Sequence, residues 1–103
     1  MKKTNKSNWE KVGSVGVDAG LIWVGDPCYC VTPDCNEHPA ETWDKFCDKL
    51  FKNEKNGVCQ WNYKMGHAGL GVSVSSGYGD GVYDVFVKRK DNRIAEVKVV
   101  FIE

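Results

Sequence analysis

The residues best equipped for chemistry follow an early apolar segment. Gly25-Asp26-Pro27-Cys28-Tyr29-Cys30 joins a carboxylate, a rigid turn, two thiols and a phenol. In such a loop Asp26 can orient a ligand hydroxyl or serve as a general base, and Cys28 can act as a nucleophile if its thiol pKa is depressed. A nucleophilic cysteine needs a base within hydrogen-bond reach, and the imidazoles in the chain are His38 and His67, neither in a local catalytic signature. A small hydrolase using Asp26 or Cys28 therefore stands as an alternative, behind a binding role. Cys28, Cys30, Cys35 and His38 also form a set of zinc-type ligands within eleven residues. The Cys-x-Cys spacing matches the paired Cys-x(2–4)-Cys knuckles of structural zinc poorly, so no cofactor is expected. The plainest reading of the loop is that Asp-Pro makes a turn and Cys28 is a small buried residue.

A second constellation is Ser75-Ser76-Gly77-Tyr78-Gly79-Asp80-Gly81-Val82-Tyr83. Its glycines permit positive φ and close backbone approach to a ligand. It lacks the Gly-Lys-Ser/Thr ending of a phosphate-binding P-loop and precedes no helix, so it reads first as an Asp-Gly hairpin turn. Together the two segments predict one pocket for a small polar or nucleotide-like molecule, lined by Asp26, Cys28, Tyr29, Tyr78, Asp80 and Tyr83. The carboxylates would accept hydrogen bonds, the phenols would stack, and glycine amides would meet any phosphate. Trp61 and Tyr63 could extend a stacking surface, but the basic groove of a single-strand binder is missing.

The elements that must carry these residues are read from periodicity. Trp43, Phe46, Cys47, Leu50 and Phe51 recur at i, i+3, i+4, i+7 and i+8, which predicts one amphipathic helix at about 40–53. Val12, Val15, Val17 and Leu21-Ile22-Trp23-Val24 form two apolar runs around Asp18-Ala19-Gly20, read as a first hairpin. From Val58 onward the period becomes two, through four runs separated by short breaks, which predicts an antiparallel meander. Residues 25–39 are left as a long loop, the kind that is usually functional or disordered. The expected fold is α+β: a mostly antiparallel sheet, made of a two-strand hairpin plus a four-strand meander, packed with one helix. Residues 1–8 are expected to be a flexible arm and 9–103 a single domain.

Charge narrows the function. With 14 basic and 14 acidic residues there is no global field for general nucleic-acid or anionic-membrane binding. Residues 18–48 are locally acidic, and Lys88, Arg89, Lys90 and Arg93 make a basic turn. No apolar run approaches the roughly 18 residues of a membrane span, and the first residues lack the apolar core of a signal peptide. A cytoplasmic location is expected, and with it five reduced cysteines in place of a disulfide framework. The apolar stretch at residues 97–102 would allow two copies to pair edge to edge in a homodimer.

The combination of Gly25-Asp26-Pro27-Cys28-Tyr29, a Trp-containing helix, Gly77-Tyr78-Gly79-Asp80-Gly81-x-Tyr83-x-Val85 and Arg93-Ile94-Ala95-Glu96-Val97 resembles small uncharacterised proteins of bacteriophage and bacterial genomes. The likeness runs over residues 17–102, and Cys30, Cys35 and Cys47 fall outside its pattern. It implies a phage-type accessory role in the host cytoplasm, either sequestering a small host signal without catalysis or binding and inhibiting a host protein.

Overall fold

The computed structural model describes residues 8–31 and 37–103. The flexible arm expected at 1–8 lies, but for Asn8, outside the described residues. Six strands are present: β1 (Glu10–Val17), β2 (Leu21–Gly25), β3 (Val58–Asn62), β4 (Ala68–Ser75), β5 (Gly81–Lys90) and β6 (Arg93–Val100). A single helical turn, α1 (Cys28–Val31), and one longer helix, α2 (Trp43–Asn53), complete the described elements. Contacts cluster into two compact units, Leu21–Ser75 and the chain up to Gly20 together with Ser76–Glu103.

The expected α+β arrangement is overturned. The strands form two separate three-stranded antiparallel sheets, β1-β5-β6 and β2-β4-β3. The strands on either side of Asp18-Ala19-Gly20 do not pair with each other: β1 joins β5 and β2 joins β4. The four-strand meander breaks at the same level, because β4 and β5 lie in different sheets. Thus residues 76–80 are a connection and not a hairpin turn. The physical reason is that period-two alternation reports that a segment is extended with two unlike faces, while it is silent on which neighbour accepts its hydrogen bonds. A short glycine-rich break permits a hairpin without enforcing one.

In the β1-β5-β6 unit the central strand pairs Val15 with Tyr83 and Val17 with Gly81 on one side, and Val87 with Val97 on the other. Val17, Tyr83 and Val87 are buried. Asp91 and Asn92, both at positive φ (54° and 65°), make the two-residue β5–β6 turn, whose twist suits the flanking strands. The opposite face is charged and aromatic: Trp9 lies under the ammonium groups of Lys88 and Lys98, at 4.9 and 4.2 Å, and Lys11 pairs with Asp84 at 3.2 Å.

In the Leu21–Ser75 unit the register sets Trp23 and Cys59 on either side of Ser73, and Gly25 and Trp61 on either side of Gly71. Cross-strand partners share a face, so the glycine pair leaves a hollow beside Trp61. The Trp23 indole fills it. A Cβ on Gly25 would lie 2.5 Å from Trp23 Nε1, and one on Gly71 2.2 Å from Trp23 Cζ2. Cys59, Trp61 and Leu70 form the buried cluster, with Trp23, Tyr29, Phe46, Leu50 and Tyr63 packed against it.

Helix α2 starts at Thr42, an extended N-cap whose Oγ1 accepts from the Lys45 amide at 3.2 Å, which satisfies one of the first-turn donors. Glu54 leaves the helix in extended conformation. Asn56 and Gly57, at φ 54° and 83°, then close a tight turn between Lys55 and Val58. The expected packing of this helix over a sheet face is also corrected. No residue of α2 is buried; Trp43 and Phe51 are exposed, Phe51 to 76 %. Only Phe46 and Leu50 of its apolar stripe reach the cluster, because the space under the helix is a single narrow sheet already occupied by Trp23. The face of β6 that alternation would bury is likewise uncovered, with Val97 63 % exposed.

Gly71→Ala should destabilise the fold by about 1–3 kcal/mol, the usual cost of forced overpacking, because the Trp23 ring must move. Gly16→Ala, where an added Cβ meets nothing within 4 Å, should leave the urea midpoint unchanged or slightly raised. Equilibrium unfolding of both variants checks this pair.

Candidate functional site

The loop singled out by its chemistry is mostly self-supporting. The Asp26 carboxylate accepts from the Cys28 amide at 3.0 Å, and its carbonyl accepts from Tyr29 N at 3.0 Å. Asp26 thus holds the start of the α1 turn, a use of Asp that follows from its short acceptor side chain. Cys28 and Cys30 are exposed and free. Burial first, and then the Asp26 carboxylate, push the Cys30 thiol above its ordinary value, which opposes thiolate formation there. Cys35 of the zinc-type set lies outside the described residues. Among the described residues no group of three His, Cys, Asp or Glu side chains is placed to hold a metal ion.

Tyr29 packs toward the core. Its ring meets Tyr63 edge-on at 5.8 Å, and it lies against the Cys59–Trp61–Leu70 cluster. In the other unit, Tyr83 is buried, donates to the Gly79 carbonyl at 2.8 Å and meets Phe101 edge-on at 5.1 Å. Tyr78 is 73 % exposed, and Asp80 is exposed beside Gly81 in a shallow depression that also includes Asp18. The six predicted residues therefore divide between the units: Asp26, Cys28 and Tyr29 belong to one, Tyr78, Asp80 and Tyr83 to the other.

A concavity within the Leu21–Ser75 unit involves none of those six. It is a cleft of about 960 Å³ between α2, the segment at 37–41 and strand β3. Trp61, Cys59 and Leu70 form its apolar part, and Tyr63 a side wall. Four lysines line it, Lys45, Lys49, Lys55 and Lys64, against two acids, Glu37 and Glu41. Lys45 is engaged by Glu41 at 3.0 Å, and that hydrogen bond, with the lysine charge, holds the Glu41 carboxyl below the usual carboxylate range. Lys49 donates to the Pro39 carbonyl at 3.1 Å. The ammonium groups of Lys55 and Lys64 enter no ion pair among the described residues. His38, also in the lining, has a buried Nδ1 with no hydrogen-bond partner among the described residues.

Sequence reasoning missed this cleft. Lys55 sits in a tight turn and Lys64 in the β3–β4 loop. The available signal was the density of lysines at 45, 49, 52, 55 and 64 around the Trp61-Tyr63 strand, which alternates with acids and so raises no net charge.

The family described as a protein of unknown function (DUF4241) matches residues 6–99, and the chain belongs to it. No curated protein and no solved structure matches it. Among the described residues no helix is long and apolar enough to cross a membrane.

Native protein treated with iodoacetamide should be modified at Cys28 and spared at Cys59, which is buried and whose thiol burial pushes up. Peptide mass mapping with and without denaturant checks this: Cys59 should react only once the chain is unfolded.

Proposed function

We propose that the chain is a noncatalytic binding module for a small anionic, nucleotide-like molecule, held in the cleft between α2 and β3. The observation that carries the reading is the pair of unengaged ammonium groups, Lys55 and Lys64, in a cleft that also has an aromatic wall. A volume of about 960 Å³ falls within the range of small-molecule sites, which combine apolar walls with a few polar groups. Phosphate would be met by one of the two lysines, which stand at opposite ends of β3. The Tyr63 ring and the edge of Trp61 would take a planar group, and Asn53 and Asn62, also in the lining, offer amides to its polar rim. His38 Nδ1 is a further polar atom that a ligand would satisfy.

On this reading Asp26 and Tyr29 act indirectly. Asp26 caps the turn that carries Tyr29, and Tyr29 buttresses Tyr63. In the phage-type setting that the resemblance implies, such a module would sequester a small host signal in the host cytoplasm.

The test is equilibrium binding of a nucleoside monophosphate to the full chain by calorimetry. Lys55→Glu combined with Lys64→Glu should weaken binding at least tenfold, about 1.4 kcal/mol, with the unfolding transition retained. Undiminished binding in that variant, or none in the unaltered protein, would reject the assignment.

A further inference from the structure

Strand β6 is bonded to β5 on one side and, among the described residues, to no strand on the other. Six of its eight residues are exposed, Val97 among them. An uncovered edge with apolar side chains is a template for another strand. The opposite edge of the sheet is β1, whose pairing with β5 carries a register shift between Lys11 and Gly13 and whose Glu10 and Lys11 are engaged by Arg89 and Asp84.

We propose that the chain forms a twofold homodimer through antiparallel pairing of β6 with β6 of a second copy, with Val97 opposite Val97. The register follows from the order of the charges. Side chains alternate between faces, so a continuous sheet across a twofold requires the axis to fall at a residue. An axis at Val97 places Glu96 opposite Lys98 twice and joins Val99 to Ala95. An axis at Glu96 sets two glutamates opposite each other, and one at Lys98 sets two lysines opposite, both unfavourable. An axis at Val99 leaves Lys98 opposite Val100 and forms no charged pair. One register among these four gains two attractive pairs, and it is also the one that buries Val97 against itself.

Neither charged group is lost to a strong competing contact. Glu96 lies 3.9 Å from Lys88, and Lys98 rests over Trp9 at 4.2 Å; both contacts lie on the face where the intersubunit pairs would form. The register shift between Lys88 and Arg89 leaves Ala95 without a direct partner on β5. Pairing would therefore be densest over residues 96–98 and weaken toward Ala95, which makes the dimer concentration-dependent.

Sedimentation equilibrium of the full chain, with native mass spectrometry of mixtures, tests this. The unaltered protein should show a monomer–dimer equilibrium. Glu96→Lys and Lys98→Glu should each weaken it at least tenfold, because each sets like charges opposite across the twofold. Mixing the two variants should restore association as a heterodimer of intermediate mass, since each then supplies the charge the other lacks. If a single reversal unfolds the monomer, the double reversal E96K/K98E keeps the net charge, restores both pairs and must dimerise as the unaltered chain does. A monomer up to about 1 mM, the weak end of measurable association, overturns the proposal. So do single variants that dimerise normally, a mixture of folded variants that stays monomeric, or a double reversal that does not associate.

Discussion

The Leu21–Ser75 unit is organised around the seating of one indole on two glycines. Trp23 projects from β2 over the Gly25–Gly71 pair and meets Trp61 edge-on at 5.7 Å and Phe46 at 6.1 Å. Any side chain at Gly71 would displace the ring, and without the ring the hollow beside Trp61 would be a cavity, which costs stability in proportion to its volume. Trp61 is further held by a hydrogen bond from Nε1 to Ser73 Oγ at 3.0 Å and by the Phe46 ring stacked on it at 4.4 Å. One face of a three-stranded sheet is thereby closed by aromatic rings from three elements, and α2 needs to bring only Phe46 and Leu50 to it.

That economy explains the cleft. A helix buried along its whole stripe would lie flush on the sheet. Here α2 is anchored through Phe46 and Leu50, and the space between its lysine-bearing side and β3 stays open. The segment at 37–41 closes one end, tied by Glu37 to the Lys64 amide at 2.9 Å and by Pro39 to Lys49. The polar rim and the apolar wall of the cleft are therefore consequences of the same packing. Pairing Lys45 with Glu41 and Lys49 with a carbonyl leaves Lys55 and Lys64 as the cations available to a ligand.

Much of the local structure was legible in the sequence. The stripe from Trp43 to Phe51 marks a helix, and alternation marks β3 to β6. Strand partners were not legible, since the runs around Asp18-Ala19-Gly20 have the pattern of a hairpin whether they pair with each other or with β5 and β4. Gly25 illustrates the same limit. In sequence it opens a chemically suggestive loop; in the structure it makes room for Trp23, its same-face neighbour two residues earlier on β2, and strand register supplies the facing Gly71. Asp26 and Tyr83 carry functional group types that read as ligands, yet their hydrogen bonds go to local backbone. Lys55 and Lys64 stand nine residues apart, before and after strand β3, and both line one cleft with residues of α2 and the segment at 37–41.

The central claim, that the cleft beside α2 and β3 is the ligand site, is tested most directly by amide and indole chemical-shift mapping of the full chain titrated with adenosine monophosphate. The account predicts saturable shifts at the amides of Lys55, Gln60, Asn62 and Lys64 and at the Trp61 indole N–H. Shifts centred instead on Asp26, Tyr78 and Asp80, or no saturable shift, would contradict it.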